Sequence, residues 1–472
     1  MSNNQPTSHR LRWIALALGL VLGGCAALPP NARVERVDPG AGYRIERELG
    51  HTPRNDPETL LLLAFSGGGT RAAALSYGIL EALRETRVAI GGNEERLLDQ
   101  VDVISGVSGG SFTALAYSLH GERLFDTYEA RFLKRDVEGE LIADLLNPLN
   151  WPSLLLGDGN RSSLAARRYD RILFDGATYA DLVGNGRPFV LVSATEFSGG
   201  ARFAFAQSTF DLLCADLSQL RLSVAATASS AVPVAFTPVT LRNWGGTCGL
   251  LLPEWIEQRR DWGPSEAILW RRQLDQTVAF QDSKGRPWLH LVDGGVSDNL
   301  GLLPYIDLLE AAELRADVGR LLGLGRTRRV AVVVVNALSP GRPRWDASPT
   351  GPGLVDTIFQ TASVPIDRNS TDSIVLLSGM MERWRLQQEI RALESRIAGA
   401  PPPPPPVPLF PIVIDFAAIP DAGEREFFQS LPTSFRLPPE TIDRLRAVAR
   451  KLLATNSEFQ RFLRSFDSPR SP

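Results

Sequence analysis

Histidine and cysteine are scarce in this chain, and their scarcity removes whole chemistries. Among 472 residues there are 4 histidines and 3 cysteines. No HExxH occurs and the cysteines are too few for a ligand set, so no metal site and no cofactor are expected. Basic residues are not in surplus: 50 lysines and arginines face 53 aspartates and glutamates, a formal charge of −3. That balance carries no nucleic-acid signature. A long apolar run is lacking too, since the apolar residues 13–24 are too few for a convincing spanning helix. Core material is plentiful, at 44 % apolar residues. This length and composition allow two domains or one large elaborated α/β domain.

His9, Arg10 and Arg12 precede the short apolar run, the layout of an export signal. The run ends Leu22-Gly23-Gly24-Cys25, which resembles a bacterial lipobox with a less usual Gly23. The resemblance implies that residues 1–25 are a lipoprotein signal peptide and that Cys25 is diacylated and becomes the new N-terminus. The alternative is an uncleaved N-terminal anchor; either way the protein is membrane-tethered. Ala26, not aspartate, follows the cysteine, which resembles the pattern sorted to the outer membrane. Two acyl chains make a stable anchor where one is marginal. The other cysteines, Cys214 and Cys248, either pair in an oxidising periplasm or remain small buried thiols.

The chain is organised around residues 101–112, VDVISGVSGGSF. An apolar strand leads into a glycine-flanked Ser108, and a helix-compatible run follows. That setting pushes a serine hydroxyl out at the end of a sheet. Gly106 and Gly110 keep the turn unobstructed, and the helix N-terminus beyond favours an oxyanion. Ser108 is therefore read as a nucleophile. After the apolar strand at residues 60–65 comes Gly67-Gly68-Gly69-Thr70-Arg71, whose N–H groups can converge on a small anion. A third strand ends in Asp293-Gly294-Gly295. Donors, a hydroxyl and a carboxylate at three strand ends make an acyl-transfer site. Histidine has no part in it. His120 lies more than three turns beyond Ser108 along a helix rising about 1.5 Å per residue, while His51 and His290 are not at the strand ends.

These three motifs, GGGTRA at residues 67–72, GVSGG at 106–110 and DGG at 293–295, resemble the patatin-like phospholipase family in type and order. The likeness covers roughly residues 60–299. It implies an α/β, three-layer fold: a mostly parallel central sheet with helices on both faces. It implies a Ser–Asp dyad of Ser108 and Asp293, acting on phospholipids or lysophospholipids. It also implies an oxyanion hole from Gly67, Gly68 and Gly69. Arg71 beside it either orients the loop or attracts a lipid phosphate, and Asn299 braces the aspartate loop. Ala72 and Asp298-Asn299-Leu300 depart from the family's frequent glycine and Asn–Pro, which blurs the subfamily without touching the dyad. The competing reading is a non-catalytic lipid-binding or envelope-scaffold lipoprotein on a lipase-like fold.

Residues 26–58 read as a tether and irregular lead-in, 59–340 as the catalytic domain. Residues 341–472 read as a helical extension with a proline spacer at 400–408, packed on the catalytic domain. Strands are predicted at 189–195, 288–292, 329–336 and 411–416. Helices are predicted at 72–84, 111–119, 354–366, 371–394 and 438–453, with 211–222 mostly helical. The small residues of 222–238 let a helix pack under the catalytic loops, and Ser229 reads as packing or capping there ahead of lining the site. Residues 145–159 are apolar without a clean period; a buried cap loop is weighed slightly ahead of a lid or acyl-channel wall. Trp244, Trp255, Trp262 and Trp270 crowd one insertion, where filling a core is weighed ahead of meeting a membrane.

Overall fold

In a computed structural model of the chain, the described residues are 31–49, 55–155, 159–233, 235–252, 275–314, 316–339, 344–347, 349, 351–399, 401 and 406–467. The export segment with Cys25, His51, and Trp255, Trp262 and Trp270 lie outside the described residues.

Strand β1 (Thr59–Phe65) is TLLLLAF with every residue buried. Apolar side chains on both faces demand cover on both sides, which an interior parallel strand provides. It pairs in parallel with β7 (Arg329–Asn336) on one side and β2 (Val101–Val107) on the other. Strand β3 (Phe189–Glu196) continues the parallel run beyond β2. The sheet is then extended antiparallel by β4 (Arg202–Ala204), β5 (Val239–Arg242) and β6 (Trp288–Val292). Strand β8 (Leu409–Asp415) closes the far edge beside β7. The order is β8-β7-β1-β2-β3-β6-β5, with β4 on β3, eight strands in all. Helices cover both faces of this mixed sheet.

Helix α1 (Gly69–Glu85) follows β1, and α2 (Gly109–His120) follows β2. They pack on each other, and α9 (Pro439–Thr455) lies along α1. The approach is close at Gly78, where a Cβ would stand 2.8 Å from Arg446 Cα. Helix α3 (Val137–Leu146), the short α4 (Trp151–Leu155) and α5 (Arg161–Tyr169) follow α2. Helix α6 (Leu222–Ser229) packs on α2 and α5, and α7 (Leu303–Leu314) packs on α8 (Leu354–Ile397). Tyr305 of α7 stitches β1 to β2: its buried hydroxyl accepts from Ser105 N at 2.7 Å and donates to Leu63 O at 2.6 Å.

Two expectations are corrected here, and one element was not foreseen. Residues 354–366 and 371–394 form one 44-residue helix that runs through Pro365. The proline removes one backbone bond, while Leu377, Met380 and Trp384 farther along bury one face and hold the helix to the body. Residues 211–222 are not mostly helical. A helix at Gln207–Leu212 stops, Cys214 takes a left-handed φ of 51°, and Ala215–Asp216 pairs with Ala32–Arg33. Finally, an unforeseen hairpin joins Arg87–Ile90 to Asn93–Arg96 through Gly91 and Gly92, both at positive φ.

Cys214 and Cys248 form a disulfide with Cα atoms 5.5 Å apart. Alkylation of denatured, non-reduced protein should leave the peptides carrying both cysteines unmodified, with labelling only after reduction. Cys248→Ser opens a loop whose ends are 34 residues apart and should lower the unfolding free energy by about 3 kcal/mol in a denaturant titration.

Candidate active site

Ser108 sits between β2 and α2 at φ 48° and ψ −123°. A side chain at positive φ is strained, and the neighbours fix it there. Glycines make the turn possible because other backbone crowds it. A Cβ on Gly109 would lie 2.0 Å from Gly69 O, one on Gly110 2.6 Å from Phe65 O, and one on Gly106 2.8 Å from Ser111 Cα. Ser111 Oγ donates to Ser108 O at 2.6 Å. Ser108 N donates to Ser229 Oγ at 2.8 Å, and that hydroxyl donates to Ser193 O at 2.7 Å. Ser229 thus joins the backbone of Ser108 to β3. The sequence offered a small-residue helix here, but no spacing rule placed its last hydroxyl against Ser108.

The glycine loop lies alongside. Gly67 is pressed against Asn299, whose Oδ1 would stand 2.5 Å from a Cβ there. Its N–H donates to Asn299 O at 2.9 Å. This corrects the expected trio of donors: Gly67 shapes the loop, and its N–H is already engaged. Gly68 and Gly69, at φ 136° and 60°, have N–H groups without an acceptor among the described residues, as does Gly109. All three belong to the first turns of α1 and α2, where unpaired donors favour negative charge. Thr70 N donates to Ser434 O at 2.9 Å.

Asp293 is delivered by β6 and tied by its backbone. Its N–H donates to Ala231 O at 3.0 Å, Gly294 N donates to Ser229 O at 3.0 Å, and Thr195 Oγ1 donates to Asp293 O at 2.8 Å. Gly294 has no room for a side chain, since its Cβ would lie 2.2 Å from Ser193 O. Gly295 N donates to Asp293 Oδ1 at 2.7 Å. Burial pushes the carboxyl up from 3.8 to about 6, against the Gly295 N–H and the Ser108 hydroxyl, which both favour the charged form. Asn299 Nδ2 donates to Ser370 Oγ at 3.0 Å, linking this loop to α8.

Arg71 is buried and clamped. It donates from Nε to Ala337 O at 2.8 Å, from Nη1 to Leu431 O, and from Nη2 to Thr433 Oγ1 at 3.2 Å. Burial lowers its pKa to about 10, opposed by the Asp367 charge. His120 Nε2 pairs with Leu173 O and His290 Nδ1 with Thr240 Oγ1, both away from Ser108. Among the described residues no cluster of three potential metal ligands occurs.

Ser108, Asp293, Gly67, Gly68, Gly69 and Asn299 line one cavity of about 600 Å³. Leu141, Leu145, Leu164, Phe236, Ile366 and Phe435 supply its apolar wall. The buried cap loop expected at 145–159 is therefore corrected. Leu145 lines the cavity, and Leu146, Leu149 and Trp151 are exposed. They extend from α3 at the cavity's rim instead of folding into the core.

A family model for patatin-like phospholipase matches residues 63–306, more than half of the chain. The chain belongs to the patatin-like phospholipase family. Similar solved structures include human GIVD cytosolic phospholipase A2 in complex with methyl gamma-linolenyl fluorophosphonate, at 12 % identity and TM-score 0.40, covering 90 % of this chain and 62 % of that one. VipD from Legionella pneumophila aligns at 13 % identity and TM-score 0.25, covering 83 % and 67 %. The chain thus spans about three fifths (62 %) of the human enzyme's length. No curated protein matches.

Ser229→Ala should lower kcat on a soluble ester about tenfold with KM nearly unchanged, the cost of one hydrogen bond that positions Ser108. Ser229→Thr, which keeps the hydroxyl, should recover part of the loss. Equal kcat in the alanine and wild-type proteins would remove the positioning role.

Proposed function

We propose that this protein hydrolyses the acyl ester of a phospholipid or lysophospholipid with Ser108 as nucleophile and Asp293 as its base. The observation that carries the reading is the shared cavity: a strained serine, a buried carboxylate and unpaired N–H groups meet in one apolar-walled space. Ser108 Oγ attacks the ester carbonyl and passes its proton to Asp293. The tetrahedral oxyanion is held by the N–H groups of Gly68 and Gly69, with Gly109 at the start of α2 aimed from the other side. Collapse breaks the ester C–O bond, and the leaving alcohol takes the proton from Asp293. Water then attacks the acyl-enzyme, again losing a proton to Asp293, which returns it to Ser108 as the fatty acid departs.

A carboxylate near its ordinary pKa is a weak base. Raised to about 6, Asp293 is a stronger base that is still mostly ionised at neutral pH. In this scheme Arg71, Asn299, Gly294 and Gly295 position the loops. Residues 59–340 carry the chemistry, and diacylated Cys25 tethers the enzyme to a bacterial envelope membrane, where lipids are both anchor and substrate. Cys25→Ser should shift the protein from the membrane to the soluble fraction.

Ser108→Ala and Asp293→Asn should each reduce esterase turnover at least about a thousandfold. Only the serine variant should lose labelling by a fluorophosphonate altogether. Because Asp293 must be ionised to act, kcat/KM should be flat above its pKa and fall as pH drops through about 6. Failure of Ser108 to react with fluorophosphonate in folded protein would favour a lipid-binding scaffold instead.

A further inference from the structure

The apolar surface of the cavity does not stop at its rim. Ile142 and Leu145 line the cavity and are also 53 % and 37 % exposed. Beyond them Leu146, Leu149 and Trp151 are 67 %, 86 % and 42 % exposed. The segment that carries them is braced. Leu149 N donates to Asn147 Oδ1 at 3.1 Å, Asn150 Nδ2 to Asp144 O at 2.7 Å, and Trp151 Nε1 to Leu145 O at 3.3 Å. A built turn thus holds large apolar side chains out in water, where a monomer gains nothing from them.

The charge around the patch narrows what can cover it. No charged residue occurs from 145 to 155. Each acid of the adjoining α3 already has a partner. Glu138 accepts from Ser434 Oγ, Glu140 pairs with Arg135, and Asp144 pairs with Arg168. An uncharged apolar surface with a tryptophan, continuous with a cavity walled by leucine and phenylalanine, matches hydrocarbon meeting water. A charged protein or nucleic-acid partner would find no complement here.

We infer that residues 142–151 are the surface by which the protein enters the outer acyl layer of a lipid bilayer. A substrate chain then passes into the cavity over Ile142 and Leu145 without crossing water. This inference rests on the reading of the cavity as an ester-hydrolysis site.

The test compares the full chain with its L146N/L149N/W151N variant, whose three positions do not line the cavity. Substrates are phosphatidylcholine vesicles and a soluble short-chain ester. The variant should keep soluble-ester turnover within about twofold and lose vesicle hydrolysis at least about tenfold. Wild-type vesicle hydrolysis should hardly change between about 0.1 and about 1 M salt, because the contact is apolar. In the Ser108→Ala protein, which spares the vesicles, lipid should slow deuterium uptake over residues 141–155, and the three substitutions should abolish that slowing. Unchanged vesicle hydrolysis in the variant, or no slowing, overturns the inference. Should the triple variant misfold, Leu149→Asn alone carries the same comparisons. Soluble-ester turnover that does not depend on Ser108 would instead overturn the catalytic reading, while deuterium uptake still judges the surface.

Discussion

The site depends on one close contact, that between the turn after β1 and the turn after β2. Gly109 lies so near Gly69 that a Cβ would stand 2.0 Å from the carbonyl oxygen. Gly110 presses on Phe65 in the same way, at 2.6 Å. Adjacent parallel strands put both turns at one edge of the sheet, and only residues without side chains let them touch there. The contact sets the unpaired N–H groups of α1 beside the hydroxyl at the start of α2. A methyl group at Gly109 would push the two helix N-termini apart and separate the unpaired N–H groups from the Ser108 hydroxyl.

Asp293 reaches this edge by another route. Strand β6 runs antiparallel to β3, pairing Val292 with Thr195, and so turns off just where β3 ends. The last turn of α6 and the residues after it then hold both partners. Ser229 accepts from the N–H of Ser108, while the carbonyls of Ser229 and Ala231 accept from Gly294 and Asp293. Backbone polar groups buried this deeply need partners. The same bonds that satisfy them also fix the distance between hydroxyl and carboxylate.

What the sequence made legible follows from this physics. Strands β1, β2 and β7 are buried on both faces, so their apolar runs marked them with nearly correct ends. The glycine turns at 67–69 and 106–110 were legible because crowding excludes other residues there. The engaged N–H of Gly67 was not, because its partner Asn299 is distant in sequence and set by the fold. Ser229 was weighed as lining the site but set behind packing or capping, because its bond to Ser108 N is likewise set by the fold. Residues 145–159 were misjudged because composition alone does not tell an apolar wall from an apolar surface; the exposure of Leu149 decides it. The unbroken α8 was missed because one proline costs a single bond, which tertiary packing outweighs.

The segment that matches the family, residues 63–306, does not complete its own cavity. Arg71 is clamped by Leu431 and Thr433, Thr70 donates to Ser434, and Phe435 forms part of the wall. Helix α8 adds Ile366 and Asp367, and its Ser370 holds Asn299. Gly69 itself is confined by this later chain, since a Cβ there would stand 2.4 Å from Ser434 O. The glycine loop is thus gripped between the Ser108 turn on one side and residues 431–435 on the other. Chemistry and cavity shape consequently sit on different parts of the chain. The turns that present Ser108 and Asp293 tolerate little change, because backbone fills the space around them. The walls contributed by α3 and α8 include the side chains of Leu141, Leu145 and Ile366, whereas residues 431–435 also hold the glycine loop in place through the carbonyl of Ser434. The cavity's apolar side chains therefore come largely from α3, α8 and Phe435, while the matched motifs supply the turns that carry Ser108 and Asp293.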